Sequence, residues 1–189
     1  MAADDLADLV LKQIEPGDRL AGLSLGHADF APLKAFLRRD AHMYERQSLA
    51  RTYGVFRNEP RKLKAYMTLV CGEVVIGEHD DRPIKEEGLK YGYKQYPAVK
   101  IARLAVDVSL RGSGVGRSLV ELALGIAKGT ICPAVGCRFM MVDSKKASVE
   151  FYSKCGFTIL DTAENKERDE PVMFIDLGKV DLVEATTPV

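Results

Sequence analysis

The apolar positions of this 189-residue chain fall into two rhythms. Leu33, Phe36, Leu37, Ala41 and Tyr44 recur every three to four residues, the spacing of one helix face, and leave Arg38 and Arg39 outside. Asp29 is placed to cap that helix, and Pro32 is tolerated in its first turn. The runs 52–56 and 63–76 read instead as strands, with Asn58-Glu59-Pro60 as the turn between them. Ahead of these, residues 1–28 mix a short apolar stretch (Leu6, Leu9, Val10, Leu11, Ile14) with Pro16-Gly17, which predicts only a frayed helix and a strand.

Residues 78–97 are polar, contain Gly88 and Gly92, and read as a long connection of the kind that often carries function. Residues 98–106 predict a buried strand that runs directly into Arg111-Gly112-Ser113-Gly114-Val115-Gly116. Leu119, Leu122, Ala123, Ile126 and Ala127 then keep a helical period until Gly129. A strand over 138–142, a short helix over 145–154 and strands over 157–160 and 172–177 complete the chain. Strands alternating with helices from residue 98 onward predict a mixed α/β fold with at least one parallel pair. A single domain over 1–178 with a tail over 179–189 is expected.

Composition narrows the function. At 47% hydrophobic and 29% charged, the chain can build a core and is not a disordered polymer. Lys plus Arg and Asp plus Glu are equal at 27 each, which excludes a uniformly basic coat for nucleic acid. The charge is nonetheless uneven: residues 34–64 hold nine bases against three acids, and residues 161–184 hold eight acids against three bases. A basic face for an anion or RNA fits this asymmetry, and so does an ordinary solvated surface. No apolar run approaches the roughly 18 residues of a membrane span, and Met1-Ala2-Ala3-Asp4-Asp5 is too acidic for a secretory leader. A cytoplasmic protein without a membrane partner is expected. Cys132 and Cys137 have no second pair or nearby His, so no metal is expected. Cys71 and Cys155 read as small buried hydrophobes.

The glycine-rich turn is the most informative stretch. Gly112, Gly114 and Gly116 stand at alternate positions just before a helix, where the backbone can approach a ligand and the helix start offers unsatisfied donors. Arg111 and Arg117 flank it and can pair with a phosphate. The spacing fits neither a Walker loop nor a dinucleotide fingerprint. A tight turn without a ligand is the structural alternative.

The strand followed by Arg111-Gly112-Ser113-Gly114-Val115-Gly116 resembles the acetyl-CoA signature of the GNAT acetyltransferases. Val142-Asp143-Ser144 with Phe151-Tyr152-Ser153-Lys154-Cys155-Gly156-Phe157 resembles that family's strand, helix and closing motif. The resemblance implies the GNAT fold: a central mixed, mostly antiparallel sheet with a splayed parallel strand pair and flanking helices. It also implies acetyl-CoA as donor, with Leu104, Ala105 and Val106 on the pantetheine arm. Arg111, Gly112, Ser113, Gly114, Val115, Gly116 and Arg117 would hold the pyrophosphate. Tyr152 matches the tyrosine beside the CoA sulfur, where a protonated phenol serves the leaving thiolate. As a core aromatic it would instead pack on Phe151 and Phe157. No general base stands out; Glu73 and Glu78 lie near a strand end, and a water chain serves equally.

Phe36-Leu37-Arg38-Arg39-Asp40-Ala41, Arg51-Thr52-Tyr53, Ala65-Tyr66-Met67-Thr68-Leu69 and Tyr96-Pro97-Ala98 extend the resemblance to the GNAT toxins of toxin–antitoxin modules, which acetylate aminoacyl-tRNA. That branch implies charged tRNA as acceptor, Arg38 and Arg39 as substrate contacts, and an antitoxin partner. The alternatives are a GNAT enzyme for a small amine, peptide or protein N-terminus, and a non-catalytic CoA-binding module. The stretch from Val180 onward reads as a loose terminus or as a strand in a homodimer.

Overall fold

The computed structural model describes residues 8–58, 62–75 and 93–180. Strands β1 (Leu9–Gln13), β2 (Arg51–Arg57), β3 (Lys62–Val75), β4 (Gln95–Val106), β5 (Phe139–Asp143), β6 (Thr158–Ile159) and β7 (Val172–Asp176) form a sheet in the order β1-β2-β3-β4-β5-β7-β6. Helices flank it, and the sheet is mostly antiparallel. Of the pairings whose register is described, β4–β5 is the parallel one, joined only from Ala98↔Phe139 to Lys100↔Met141. A parallel pair needs a long crossover, which residues 107–138 supply. Both strands run past their three shared positions, β4 to Val106 and β5 to Asp143.

The chain divides into two compact units, Met1–Val70 with Ile101–Glu121, and Cys71–Lys100 with Leu122–Val189. In the first, Leu20, Leu23, Leu25, Phe36, Leu37, Leu63, Tyr66 and Ala105 share one core. The helix expected over 33–44 is two helices, α1 (Ala31–Arg39) and α2 (Ala41–Arg46), parted at Asp40. Its apolar face still falls where the spacing put it, with Phe36, Leu37 and Ala41 buried. Asp29 is not the N-cap. A 3-10 turn, Ala28–Phe30, precedes α1, and His27 accepts from the Asp29 N–H there. Phe36 pins α1 to the sheet: its ring stacks 6.4 Å from Tyr66, and Tyr66 Oη donates to Leu33 O at 2.9 Å. Removing such a buried aromatic typically costs about 3–5 kcal/mol.

In the second unit, Tyr96, Ala98, Phe139, Met141, Leu160 and Val172 form the core, and Phe139 meets Tyr96 and Phe174 edge-to-face at 5.5 Å each. Helix α3 (Val115–Ile126) does not end at Gly129. A π-helical stretch, Ala127–Ile131, absorbs that glycine and leads into α4 (Cys132–Val135), which Gly136 closes at φ +76°. The run Val115–Val135 is therefore 21 residues, long and apolar enough by length and composition to cross a membrane. This corrects the expectation that no run approaches that length. Arg117, Glu121 and Lys128 punctuate it in the sequence, while Leu119, Val120, Ala123 and Ala127 are buried against the fold.

Helix α5 (Val149–Lys154) follows a 3-10 turn, and α6 (Ala163–Glu167) has no counterpart in the sequence reading. Asn165 explains α6. Its Nδ2 donates to Leu160 O and Val172 O at 3.0 Å each, and its Oδ1 accepts from Val172 N at 2.8 Å. Cys71 is exposed, because β3 alternates its burial after Val70, and Cys155 is half-buried at the C-cap of α5, so neither is a core residue. The turn residues 59–60 and the connection 78–92 lie outside the described residues, as does the tail from 181.

Candidate active site

Strand β4 leads into the glycine turn. Ala105 is 6% exposed and packs into the first unit's core, while Leu104 and Val106 alternate to the other face, half-buried. Asp107 then ends the strand at 3% exposure. Its carboxylate accepts from Ser24 N at 2.8 Å, Ser109 N at 3.0 Å, Ser109 Oγ at 2.7 Å and Lys64 Nζ at 3.3 Å. Burial alone would raise its pKa, but the donors from Ser24, Ser109 and Lys64 outweigh this and bring it to about 2. An ionised Asp107 therefore clamps the strand end to residue 24. Ser24 O in turn accepts from Val108 N at 2.9 Å.

A 3-10 turn, Val108–Leu110, buries Leu110 and carries the chain outward. Ser113 Oγ closes the turn by donating to Leu110 O at 2.7 Å. Gly112 and Gly114 adopt φ of +76° and +90°, and a Cβ on either would meet nothing within 4 Å. Backbone conformation therefore selects glycine here, not crowding. Ser118 N donates to Gly114 O at 3.0 Å, so the N–H groups of Val115, Gly116 and Arg117 precede the helical ladder of α3. The turn thus presents main-chain donors at the positive end of a twelve-residue helix, which suits a pyrophosphate.

Arg111 is exposed, but its Nη2 donates to Leu25 O at 2.5 Å and its guanidinium lies 6.0 Å from the Phe30 ring. Four of its five N–H donors stay available on a fixed fork. Arg117 is exposed on the first turn of α3. Arg38 and Arg39 are exposed on α1, in the same unit as the turn. Sequence reading missed Asp107, Lys64 and Arg103. The Arg103 guanidinium sits 3.8 Å over the Phe36 ring. The signal for Asp107 was a lone carboxylate closing an apolar strand one turn before the glycines.

Tyr152 belongs to the second unit, on α5. Its ring meets Phe151 at 5.0 Å and Phe157 at 5.3 Å, edge-to-face in both cases. Burial, with Cys155 beside it, pushes its phenol well above the ordinary value, so it keeps its proton at neutral pH. Packing on both phenylalanines is the core role considered above. Tyr152 Oη, however, makes no hydrogen bond to any described residue, an arrangement that leaves the hydroxyl a donor. Glu73 is exposed on β3, and Glu78 lies outside the described residues. Burial raises the Cys137 thiol to about 11, so it is not a thiolate, and no cluster of three metal-ligating side chains occurs among the described residues.

Residues 71–159 match the model of the acetyltransferase (GNAT) domain. Over that stretch the chain is similar to the GNAT acetyltransferases. Its fold is similar to that of AtaTR bound with acetyl-CoA, at 28% identity and a TM-score of 0.70 over 91% of this chain and 95% of that one. It is similar to AtaT complexed with acetyl-methionyl-tRNAfMet, at 25% identity and a TM-score of 0.73 over 90% and 96%. A mutant AtaT toxin bound to the C-terminus of the antitoxin AtaR matches at 25% identity and a TM-score of 0.69 over 90% and 94%. The domain is that of an N-acetyltransferase, and GNAT acetyltransferases use acetyl-CoA.

Proposed function

We propose that this protein is a toxin-like N-acetyltransferase that acetylates the α-amine of aminoacyl-tRNA. The observation that carries this reading is the likeness, over nine-tenths of the chain, to AtaT complexed with acetyl-methionyl-tRNAfMet. The net positive stretch over residues 34–64 supports it, because phosphate contacts dominate binding to nucleic acid. The likeness to AtaT bound to AtaR supports an antitoxin as partner.

The residues present fit the donor. Gly112 and Gly114 at positive φ, the main-chain donors of Val115, Gly116 and Arg117, and the fork of Arg111 suit a pyrophosphate. Leu104, Ala105 and Val106 supply strand backbone for the pantetheine arm. Acetyl-CoA supplies the acetyl group: the amine nitrogen bonds to the acetyl carbon, the carbon–sulfur bond breaks, and the proton shed by nitrogen ends on sulfur. Tyr152 holds a proton through that change. Because its phenol is a weaker acid than a thiol, its role is to donate a hydrogen bond to the developing negative charge on sulfur, and net proton loss from the phenol is disfavoured.

Transfer of labelled acetyl from acetyl-CoA to a pool of charged tRNA tests the acceptor, with deacylated tRNA and a polyamine as controls. Label on charged tRNA alone is expected. Label on the polyamine, or on none of the three, would overturn the tRNA reading.

A further inference from the structure

In the first unit, residues 20–25 run extended beside α1. Leu20, Leu23 and Leu25 are buried, while Ala21, Gly22 and Ser24 are exposed. A groove of about 330 Å³ lies between this segment and the helix, lined by residues 20–24 and by Lys34, Leu37 and Arg38. Lys34 and Arg38 stand one helical turn apart. The stem of Lys62, from β3, lies along the same segment: a Cβ on Gly22 would come within 3.0 Å of Lys62 Cε and 3.5 Å of its Cγ.

Lys34 and Arg38 thus line a groove that holds no carboxylate, and the stem of Lys62 borders it at Gly22. Two acids on the flanking segments are already committed. Asp18 binds Lys12 at 2.9 Å, and Asp107 is taken by Ser24, Ser109 and Lys64. The main-chain N–H and C=O groups of Leu20 to Leu23 find no hydrogen-bond partner among the described residues. A polar main-chain edge of this kind takes its bonds from water or from a ligand.

We infer that this groove binds an unpaired stretch of RNA, one or two nucleotides long. Its phosphates lie on Lys34, Arg38 and Lys62, and its base or ribose edge pairs with the main chain of residues 20–23. The volume suits a nucleotide and is far too small for a duplex. The leucine floor gives a base apolar contact while the cations track the strand, the division of labour that single-strand sites use. The inference deepens the tRNA reading and rests on it for the source of the strand, since tRNA carries its amino acid on an unpaired 3′ end.

The test is fluorescence anisotropy with a labelled single-stranded hexaribonucleotide. One or two nucleotides within a strand bring two or three phosphates, which predicts that binding weakens about seven- to twentyfold between 50 and 200 mM salt. Lys34→Glu with Lys62→Glu should weaken binding at least tenfold and flatten that salt slope. Ala21→Trp should weaken it by filling the groove with every charge kept. Arg168→Glu, an exposed charge of the second unit, should change nothing, and thermal melts check that each variant is folded. Failure of the oligonucleotide to bind, or equal affinity in all variants, would overturn the groove. Stronger binding of oligoglutamate than of the oligonucleotide would also overturn it, in favour of an acidic peptide. Acetylation of charged tRNA, measured on the same variants, separates the two proposals. If the groove variants lose the oligonucleotide while the wild type acetylates no charged tRNA, the groove stands and the acceptor reading falls. If charged tRNA is acetylated equally by all variants and their oligonucleotide affinity is unchanged, the groove falls alone.

Discussion

Lys64 Nζ lies 3.3 Å from Asp107 Oδ1, with the two side chains only 10% and 4% exposed. This pair, with the Ser24 and Ser109 donors, ties β3, β4 and the extended segment at residue 24 to the start of the glycine turn. A buried carboxylate so surrounded is stable only as the anion, and losing one partner leaves the other charge buried and uncompensated.

Asp107→Asn should therefore destabilise the first unit by about 2 kcal/mol at neutral pH. Asp107 has its pKa lowered from 3.8 to about 2, so its contribution is complete above the ordinary carboxylate range and is lost as pH falls towards 2. Urea unfolding at pH 7 and pH 2.5 should show a large gap between wild type and variant at the first and a smaller one at the second. Lys64→Met in the Asp107→Asn background should cost less than it does alone, because the two side chains act as one unit.

Gly114→Ala should raise the dissociation constant for acetyl-CoA about five- to thirtyfold, because a side chain at φ +90° costs about 1–2 kcal/mol. Gly125→Ala is the matched control. It sits within α3 with nothing within 4 Å of a new Cβ, so it should leave binding unchanged and stabilise the helix by about 0.5–1 kcal/mol. Calorimetric titration of both variants checks this.

Tyr152→Phe keeps the ring contacts at 5.0 and 5.3 Å and removes only an oxygen without a partner among the described residues. Its melting temperature and acetyl-CoA affinity should match wild type while turnover falls about a hundredfold. Wild-type turnover would remove Tyr152 from the chemistry.

Asn165→Ala should destabilise the protein by about 1–3 kcal/mol, since it removes the Oδ1 acceptor of the buried Val172 N–H and one donor each from Leu160 O and Val172 O, which keep Thr162 N and Leu160 N. Acetyl-CoA affinity at a temperature where the variant is folded should not move. A loss of affinity there would give Asn165 a part in the site.

Arg38→Glu with Arg39→Glu should cut acetylation of charged tRNA at least tenfold at physiological salt and leave any polyamine acetylation untouched. Equal loss on both substrates would place these arginines in a structural role instead.

Local patterning was legible wherever one rule decided the outcome. Phe36, Leu37 and Ala41 face the core as their spacing requires, and the strand–glycine–helix order of residues 98–126 stands as read. Boundaries that depend on a competing contact were not legible. The break at Asp40, the passage of the helix through Gly129, and α6 held by Asn165 each follow from packing partners distant in sequence or from backbone bonds that composition does not encode.

The sequence by itself determined the α/β class, the glycine turn and the GNAT resemblance, because periodicity, positive-φ demand and motif spacing are properties of neighbours along the chain. Only the tertiary structure decided that Asp107 is an anion clamped by Lys64 and Ser24, forty-three and eighty-three positions away. It alone set Arg111 against Leu25, and brought Lys62 to the groove beside Lys34 and Arg38. Charge and hydrogen-bonding capacity belong to a residue, but what they act on is set by which strands fold together.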